Sequence, residues 1–410
     1  MMVKAMEIST AELWTLMAAS LVVLMTPALG LFYGGMTRAT GVVNMMLMSF
    51  AAAAMTAVVW VLWGYSLASG EPMLGGLLGA PLNDFALLGT DMADLLPVGF
   101  AGAFAMIAVA IISGAIADRS RFGAWLLFVP VWVSLVYAPV AFWVWGGGLL
   151  DADGWLGQRF GEAIDFAGGA VIHTNAGVAA LVLALKLGPR HNFHDRPQPH
   201  NTPLVMLGAA LLWFGWFGFN AGAATTVEQA GLIWVNTLIA PGAAVLGWIL
   251  VEKLRGQRPT SVGVASGLVA GLVAITPACA NVAPWAALLL GLVAGMAAAW
   301  AVNLKWKLGY DDSLDVVGVH LVAGLVGTLA LGFVALPGLE EPAGLIYGGG
   351  PALLVSQLVT CLVVVVFSAT VTWVIAVFVD KLIGWRVDGS TEVAGIDAAE
   401  HQESGYQLVR

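Results

Sequence analysis

Apolar stretches of about 20 residues, the length that crosses the hydrocarbon core of a bilayer, follow one another through this chain with short polar breaks between them. They fall at 12–36, 42–67, 96–117, 122–147, 168–188, 203–222, 228–251, 261–277, 283–304, 316–337 and 351–382. The ten-residue alternation of a barrel strand is missing, which leaves helices as the structure that satisfies every backbone group in lipid. Composition agrees. Of 410 residues 60% are hydrophobic and 10% charged, against about 25% charged in a soluble domain. The reading is an all-α polytopic membrane protein of eleven transmembrane helices, with a transmembrane domain over 1–382 and a tail over 383–410. The first ten residues are too short and polar for a cleavable leader, so the first run is expected to be a retained spanning helix.

Lysine and arginine favour the cytoplasmic side of a membrane protein, and their placement here sets an orientation. The connections after spans 1, 3, 5, 7 and 9, with the tail, hold Arg38, Arg119, Arg121, Lys186, Arg190, Arg196, Lys253, Arg255, Arg258, Lys305, Lys307, Lys381, Arg386 and Arg410. Those are fourteen of the 16 basic residues; only Lys4 and Arg159 fall on the other side. That side carries Glu71, Asp84, Asp91, Asp94, Asp151, Asp153, Glu340 and Glu341 instead. The N-terminus is expected outside and the C-terminus inside, as in the cytoplasmic (inner) membrane of a bacterium or archaeon.

A weak internal repeat runs through the spans. His173 opens HTNAG and His320 opens HLVAG, and an aspartate stands eight residues before each, at Asp165 and Asp312. This pairs span 5 with span 10, as an inverted repeat of spans 1–5 and 6–10 requires. His173 and His320 are also the two histidines inside apolar spans, where an ionisable group faces a bundle interior or a pathway. Each alone could simply bond a neighbouring helix; two at equivalent positions point to a shared pore able to relay a proton. Asp165 reads as a helix cap or as an anion near a cation-binding vestibule. Aromatics gather near one end of the spans: Trp145 in VWGGG, Phe104 after Phe100, and Phe219 in WFGFNAG. Membrane-interface belting and attraction of a small cation both fit that spacing.

The motifs DFAGGAVIH, GWFGFNAG, ITPAC, DDSLDVVGVH and VWGGG, on those spans, resemble the signatures of the ammonium transporter (Amt/Mep/Rh) family, of the bacterial Amt type. LFYGGM, ISGAIADRSRF and the ending RVDGSTEVAGIDAAEHQESGY are similar to its motifs as well. The resemblance implies a homotrimer with one pore in each subunit. It implies a substrate recruitment site of Trp145, Phe104 and Asp165, a gate of Phe104 over Phe219, and a pore relay of His173 and His320. A serine is common in the family's recruitment site; Ala223 stands at the matching position, without a hydroxyl acceptor. Gly384, Arg386, Gly395, Asp397 and Tyr406 match a regulatory tail that helps open the pore and meets a PII-type protein.

On this reading ammonium binds outside as a cation, loses its proton, and crosses as ammonia, with net proton transfer as the favoured version. An Rh-like channel for neutral ammonia or carbon dioxide is a rival. So is an ammonium sensor, which with no signalling domain appended after residue 410 would act through a partner. No metal cluster, nucleophile–base pair or phosphate-cradling loop suggests an enzyme. No cofactor is expected, and the net charge of −9 argues against a nucleic-acid partner. Cys279 and Cys361 form no metal or disulfide spacing and are expected to fill space. The stretch 194–200, HDRPQPH, reads as a solvated connector.

Overall fold

In the computed structural model, which describes residues 8–338 and 343–406, apolar helices account for every predicted span. Lys4, Glu340, Glu341 and Arg410, which entered the charge count, lie outside the described residues. The helices are α1 (Thr10–Met36), α2 (Val42–Ser69), α3 (Met92–Ile116), α4 (Phe122–Trp145), α5 (Gly169–Leu187), α6 (Thr202–Ala221), α7 (Val227–Leu254), α8 (Ser261–Ile275), α9 (Pro284–Leu308), α10 (Val317–Val334) and α11 (Ala352–Ile383). Ten of them are long and apolar enough to cross a membrane, and α8 has 15 residues. At 1.5 Å per residue α8 spans roughly 22 Å, less than a bilayer core. Its burial explains the tolerance: most of α8, its C-terminal end included, is covered by neighbouring helices and so meets protein rather than lipid.

Local chemistry starts several helices. Ser9 and Glu12 form a reciprocal capping box on α1, and Asn201, Thr226 and Thr260 accept the first free backbone N–H groups of α6, α7 and α8. Four helices contain a wider π-type turn: Trp60–Gly64 in α2, Val133–Tyr137 in α4, Gly169–Thr174 in α5 and Val317–Val322 in α10. In the α2–α3 connection, β1 (Pro72–Met73) and β2 (Leu78–Gly79) pair antiparallel, Pro72 against Gly79 and Met73 against Leu78.

The connections sort to two ends. The tail touches the α1–α2, α3–α4 and α5–α6 connections through Arg38, Phe122 and His191, and Arg119 reaches the α9–α10 connection at Asp311 and Ser313. The predicted basic side thus gathers at one end. A buried ion cluster pins it. Arg190 grips both oxygens of Asp311, at 2.8 and 2.9 Å, and reaches Asp118 at 3.3 Å. The Thr37 hydroxyl donates to Asp118. Burial pushes the Asp311 carboxyl up, but its bonds to Arg190 and the nearby Arg119 outweigh that and hold it below the usual range. The 194–200 stretch is solvated only in part. Phe193, just before it, is buried on Trp306 with centroids 4.7 Å apart, and at its other end His200 meets the tail.

The histidine repeat has a structural counterpart where α5 crosses α10. A Cβ on Gly177 would lie 2.5 Å from the backbone nitrogen of Leu321, and one on Gly324 would lie 2.9 Å from the Thr174 hydroxyl. Each glycine, four residues after its histidine, faces the residue that follows the other histidine. The shared His-x-x-Ala-Gly is therefore the contact itself, since only glycine lets the two backbones approach so closely.

Two outcomes test this packing. Gly324→Val should lower thermal stability in detergent, as overpacking typically costs about 1–3 kcal/mol, whereas a stability equal to the parent's would mean the crossing yields freely. Asp311→Ala should cost roughly 3–5 kcal/mol by stranding buried Arg190, while removing Asp380 from its partly exposed pair with Lys186 should cost no more than about 1 kcal/mol. Because folding lowers the Asp311 pKa, its contribution is present above the ordinary carboxylate range and lost as pH falls through the lowered value.

Candidate functional site

Trp145 ends α4, and its indole N–H donates to the backbone oxygen of Asp165 at 2.8 Å. The Asp165 carboxylate accepts four backbone N–H groups, from Gly168, Gly169, Ala170 and Val171, at 2.5–3.0 Å. Its direct role is the helix cap, one of its two sequence readings. Phe166 N–H donates to the Pro277 carbonyl, which seats the start of α5 against the end of α8.

Beside Trp145 lies an aromatic cavity of about 290 Å³. Phe100, Phe104, Phe219, Trp60, Tyr137 and Ala223 are among its walls, so Ala223 does share a cavity with Trp145 and Phe104. At its floor Phe104 and Phe219 stack, with centroids 4.3 Å apart and planes 17° apart. Trp145 stands edge-on to Phe104 at 6.3 Å. Beyond the stack comes His173, 6.0 Å from Phe219 between centroids. The order is indole, phenyl pair, imidazole.

His173 and His320 are buried, nearly parallel, and joined through their Nδ1 atoms at 3.3 Å. Two facing nitrogens can bond only if one carries a proton and the other does not. When both rings are neutral they are therefore opposite tautomers, and one Nε2 is an acceptor while the other is a donor. His173 Nε2 is buried without a protein partner among the described residues. Trp216 stacks on the same ring at 5.4 Å and is fixed by its N–H bond to the Thr276 hydroxyl at 2.8 Å. At the other end of the bundle a polar cavity of about 480 Å³ is lined by Ser266, Ser313 and Asp315 among others, and the Ser266 hydroxyl is buried without a partner among the described residues.

All five tail positions lie at the basic end. Gly384 closes α11 with φ +72°, and Gly395, with φ +116°, lies against Thr40. Arg386 pairs with Glu392 at 2.8 Å, and Glu392 also accepts from the backbone of His191. Asp397 accepts the Val43 and Asn44 N–H groups at the start of α2, whose own Gly41 offers no side chain. The Tyr406 hydroxyl meets His200 and Asn201.

Sequence reasoning assigned no role to Trp216, Trp60 or Tyr137. The signal for Trp216 was present, since it precedes Phe219 and Asn220 by three and four residues and so shares their helix face. Trp60 and Tyr137 sit within π-type turns, which alter the helical phase, and they carried no such signal. Among the described residues no group of three or more His, Cys, Asp or Glu side chains is placed to hold a metal.

A model of the Ammonium Transporter Family matches residues 13–406. An ammonium transporter of Mycobacterium tuberculosis is 49% identical, over 96% of this chain and 90% of its own. One from Bacillus subtilis is 44% identical, over 95% and 96%. Among solved structures, Saccharomyces cerevisiae Mep2 superposes with TM-score 0.84 at 30% identity, covering 94% of this chain and 92% of its own. A protein described as a Sensor Amt Protein does so with TM-score 0.86 at 28% identity, over 95% and 98%. With its multi-pass helical fold, the chain belongs to the ammonium transporter family.

Proposed function

We propose that this protein takes up ammonium across the cytoplasmic membrane, with the Trp145 end outside, through a path that runs past Trp145, between Phe104 and Phe219, and along His173 and His320. The observation that carries this is the placement of the stacked phenyl pair between the aromatic cavity and the joined imidazoles. A cation is attracted to aromatic faces by about 0.5–2 kcal/mol, whereas a charge at the bilayer centre costs at least about 2.5–3.5 kcal/mol. Ammonium resolves the conflict by leaving its proton near the phenyl pair and crossing as ammonia. Potassium has no proton to leave and is rejected.

The imidazole pair suits both parts of the cargo. An acceptor Nε2 takes a hydrogen bond from ammonia, and a donor Nε2 gives one to its lone pair. A proton added to one ring and lost from the other exchanges the tautomers, so the pair can pass the released proton and make transport electrogenic. The eleven helices, the two inverted halves and the N-out orientation belong to this reading. So do a homotrimer with one pore per subunit and a PII-type partner meeting the docked tail.

Charge movement in proteoliposomes after an ammonium jump tests the path. The parent should give a current that potassium does not, and His173→Ala with His320→Ala should abolish that selectivity or the current. Unchanged selectivity and current in the double variant would overturn the relay. Rapid lumenal alkalinisation without current would instead support the gas-channel reading. Tight ammonium binding without flux would support a sensor, a reading favoured by the likeness to the Sensor Amt Protein. Trp145→Leu should raise the half-saturating ammonium concentration roughly 2- to 30-fold, the range of one lost cation–π contact.

A further inference from the structure

Neither the aromatic gate nor the imidazole pair uses Glu162, a carboxylate at the mouth of the proposed path. Its chain segment is rigidly held. The Ser356 hydroxyl donates to the carbonyls of Gly161 and Glu162, both at 2.8 Å. The Gln357 side chain clamps Ile164 from both sides, accepting its N–H at 3.0 Å and donating to its carbonyl at 2.7 Å. Three residues after Glu162, the Asp165 carbonyl holds the Trp145 indole at 2.8 Å. The Glu162 backbone and the Trp145 indole are thus tied to one short segment.

Beside that segment is a second cavity, of about 240 Å³, bounded by Trp145, Glu162, Asp165 and Asn281 among others. It shares Trp145 and Phe166 with the aromatic cavity, so the indole borders both. The Asp165 carboxylate is committed to four backbone N–H groups, which leaves Glu162 as the exposed acid of this cavity. Glu162 and Asn281 each have an interaction partner, but a carboxylate offers about four acceptor positions.

We propose that Glu162 is an affinity-determining residue, which concentrates ammonium beside Trp145 and supplies attraction that Ala223, lacking a hydroxyl, does not. The inference deepens the proposed ammonium path and rests on it. Attraction by charge does not tell ammonium from potassium, so potassium competes at this mouth without crossing. Selectivity stays with the deprotonation step further in.

The test is initial ammonium flux into proteoliposomes, read as current and lumenal pH, against ammonium concentration. The proteins are the parent, Glu162→Gln, Glu162→Asp and Trp145→Leu, at about 0.01 M and about 1 M ionic strength, where the screening length falls from roughly 30 to roughly 3 Å. Glu162→Gln should raise the half-saturating concentration about three- to tenfold at low salt, the effect expected of one unit charge near a bound cation, with maximal flux retained. Glu162→Asp should stay near the parent, and high salt should close the gap. Added potassium should compete less well against Glu162→Gln than against the parent. An unchanged half-saturation in Glu162→Gln, with Trp145→Leu still shifted, overturns the proposal and leaves the path standing. Equal loss of maximal flux in the Gln and Asp variants overturns it in favour of a structural role. A parent without saturable ammonium flux overturns both.

Discussion

A helix that begins inside a packed bundle has N–H groups that no water can reach, and in α5 the Asp165 carboxylate takes four of them. Much of the site is arranged around that one group. It lets the chain enter from the loop and turn into helix within the protein, which brings His173 eight residues later to the middle of the bundle. Through its own carbonyl the same residue fixes the Trp145 indole, so the wall of the aromatic cavity and the bundle interior share a single anchor. Asp312 repeats the device for α10, accepting the N–H of Val317 at 2.7 Å. The two caps lie at opposite ends of the bundle and aim two helices at each other from opposite directions.

The basic end solves a similar problem at longer range. Asp397, in the tail, caps α2 across more than 350 positions of sequence, because Gly41 leaves that helix start without an acceptor of its own. Glu392 collects the backbone of His191 and the guanidinium of Arg386, while its carbonyl accepts from Arg38. Beneath them Asp118, Arg190 and Asp311 form a network that water does not reach. Such pairs add little net energy when whole and cost much when broken, so they favour one arrangement of the loops over many. The tail is consequently part of the same polar layer that holds α1, α2, α5 and α6 in place.

Helices were readable because lipid imposes a length and an apolar character that few other folds need. Each predicted span coincides with an apolar helix, ten of them long enough to cross a membrane, with ends displaced by a few residues where caps such as Ser9 and Thr226 lie outside the apolar run. Charge placement revealed which connections share an end, and the structure gathers those basic connections and the tail together. The histidine pair was legible through its repeat. That Gly177 and Gly324 form the crossing was not, since glycine is abundant here and spacing alone does not distinguish a contact from a turn. The partners of Glu392 and Asp397 were likewise hidden, because long-range polar contacts leave no periodic mark. The short hairpin between α2 and α3 gave no alternation to read, being two residues on each strand.

The π-type turns have a consequence for how this chain relates to its neighbours in sequence. An α-helix advances about 100° per residue, and a π-type turn accommodates an extra residue within one coil. Crossing such a turn therefore shifts the phase of all later side chains by about that angle. Trp60 and Tyr137 lie in such turns inside α2 and α4, so in those two helices the face that looks inward changes register at a residue lining the aromatic cavity, whereas His173 and His320 lie in the turns that open α5 and α10. A helical wheel drawn through α2 or α4 with a single period would turn part of the inward face towards lipid. An insertion or deletion of one residue there acts as a rotation, re-aiming half a helix while leaving its composition and hydropathy almost untouched.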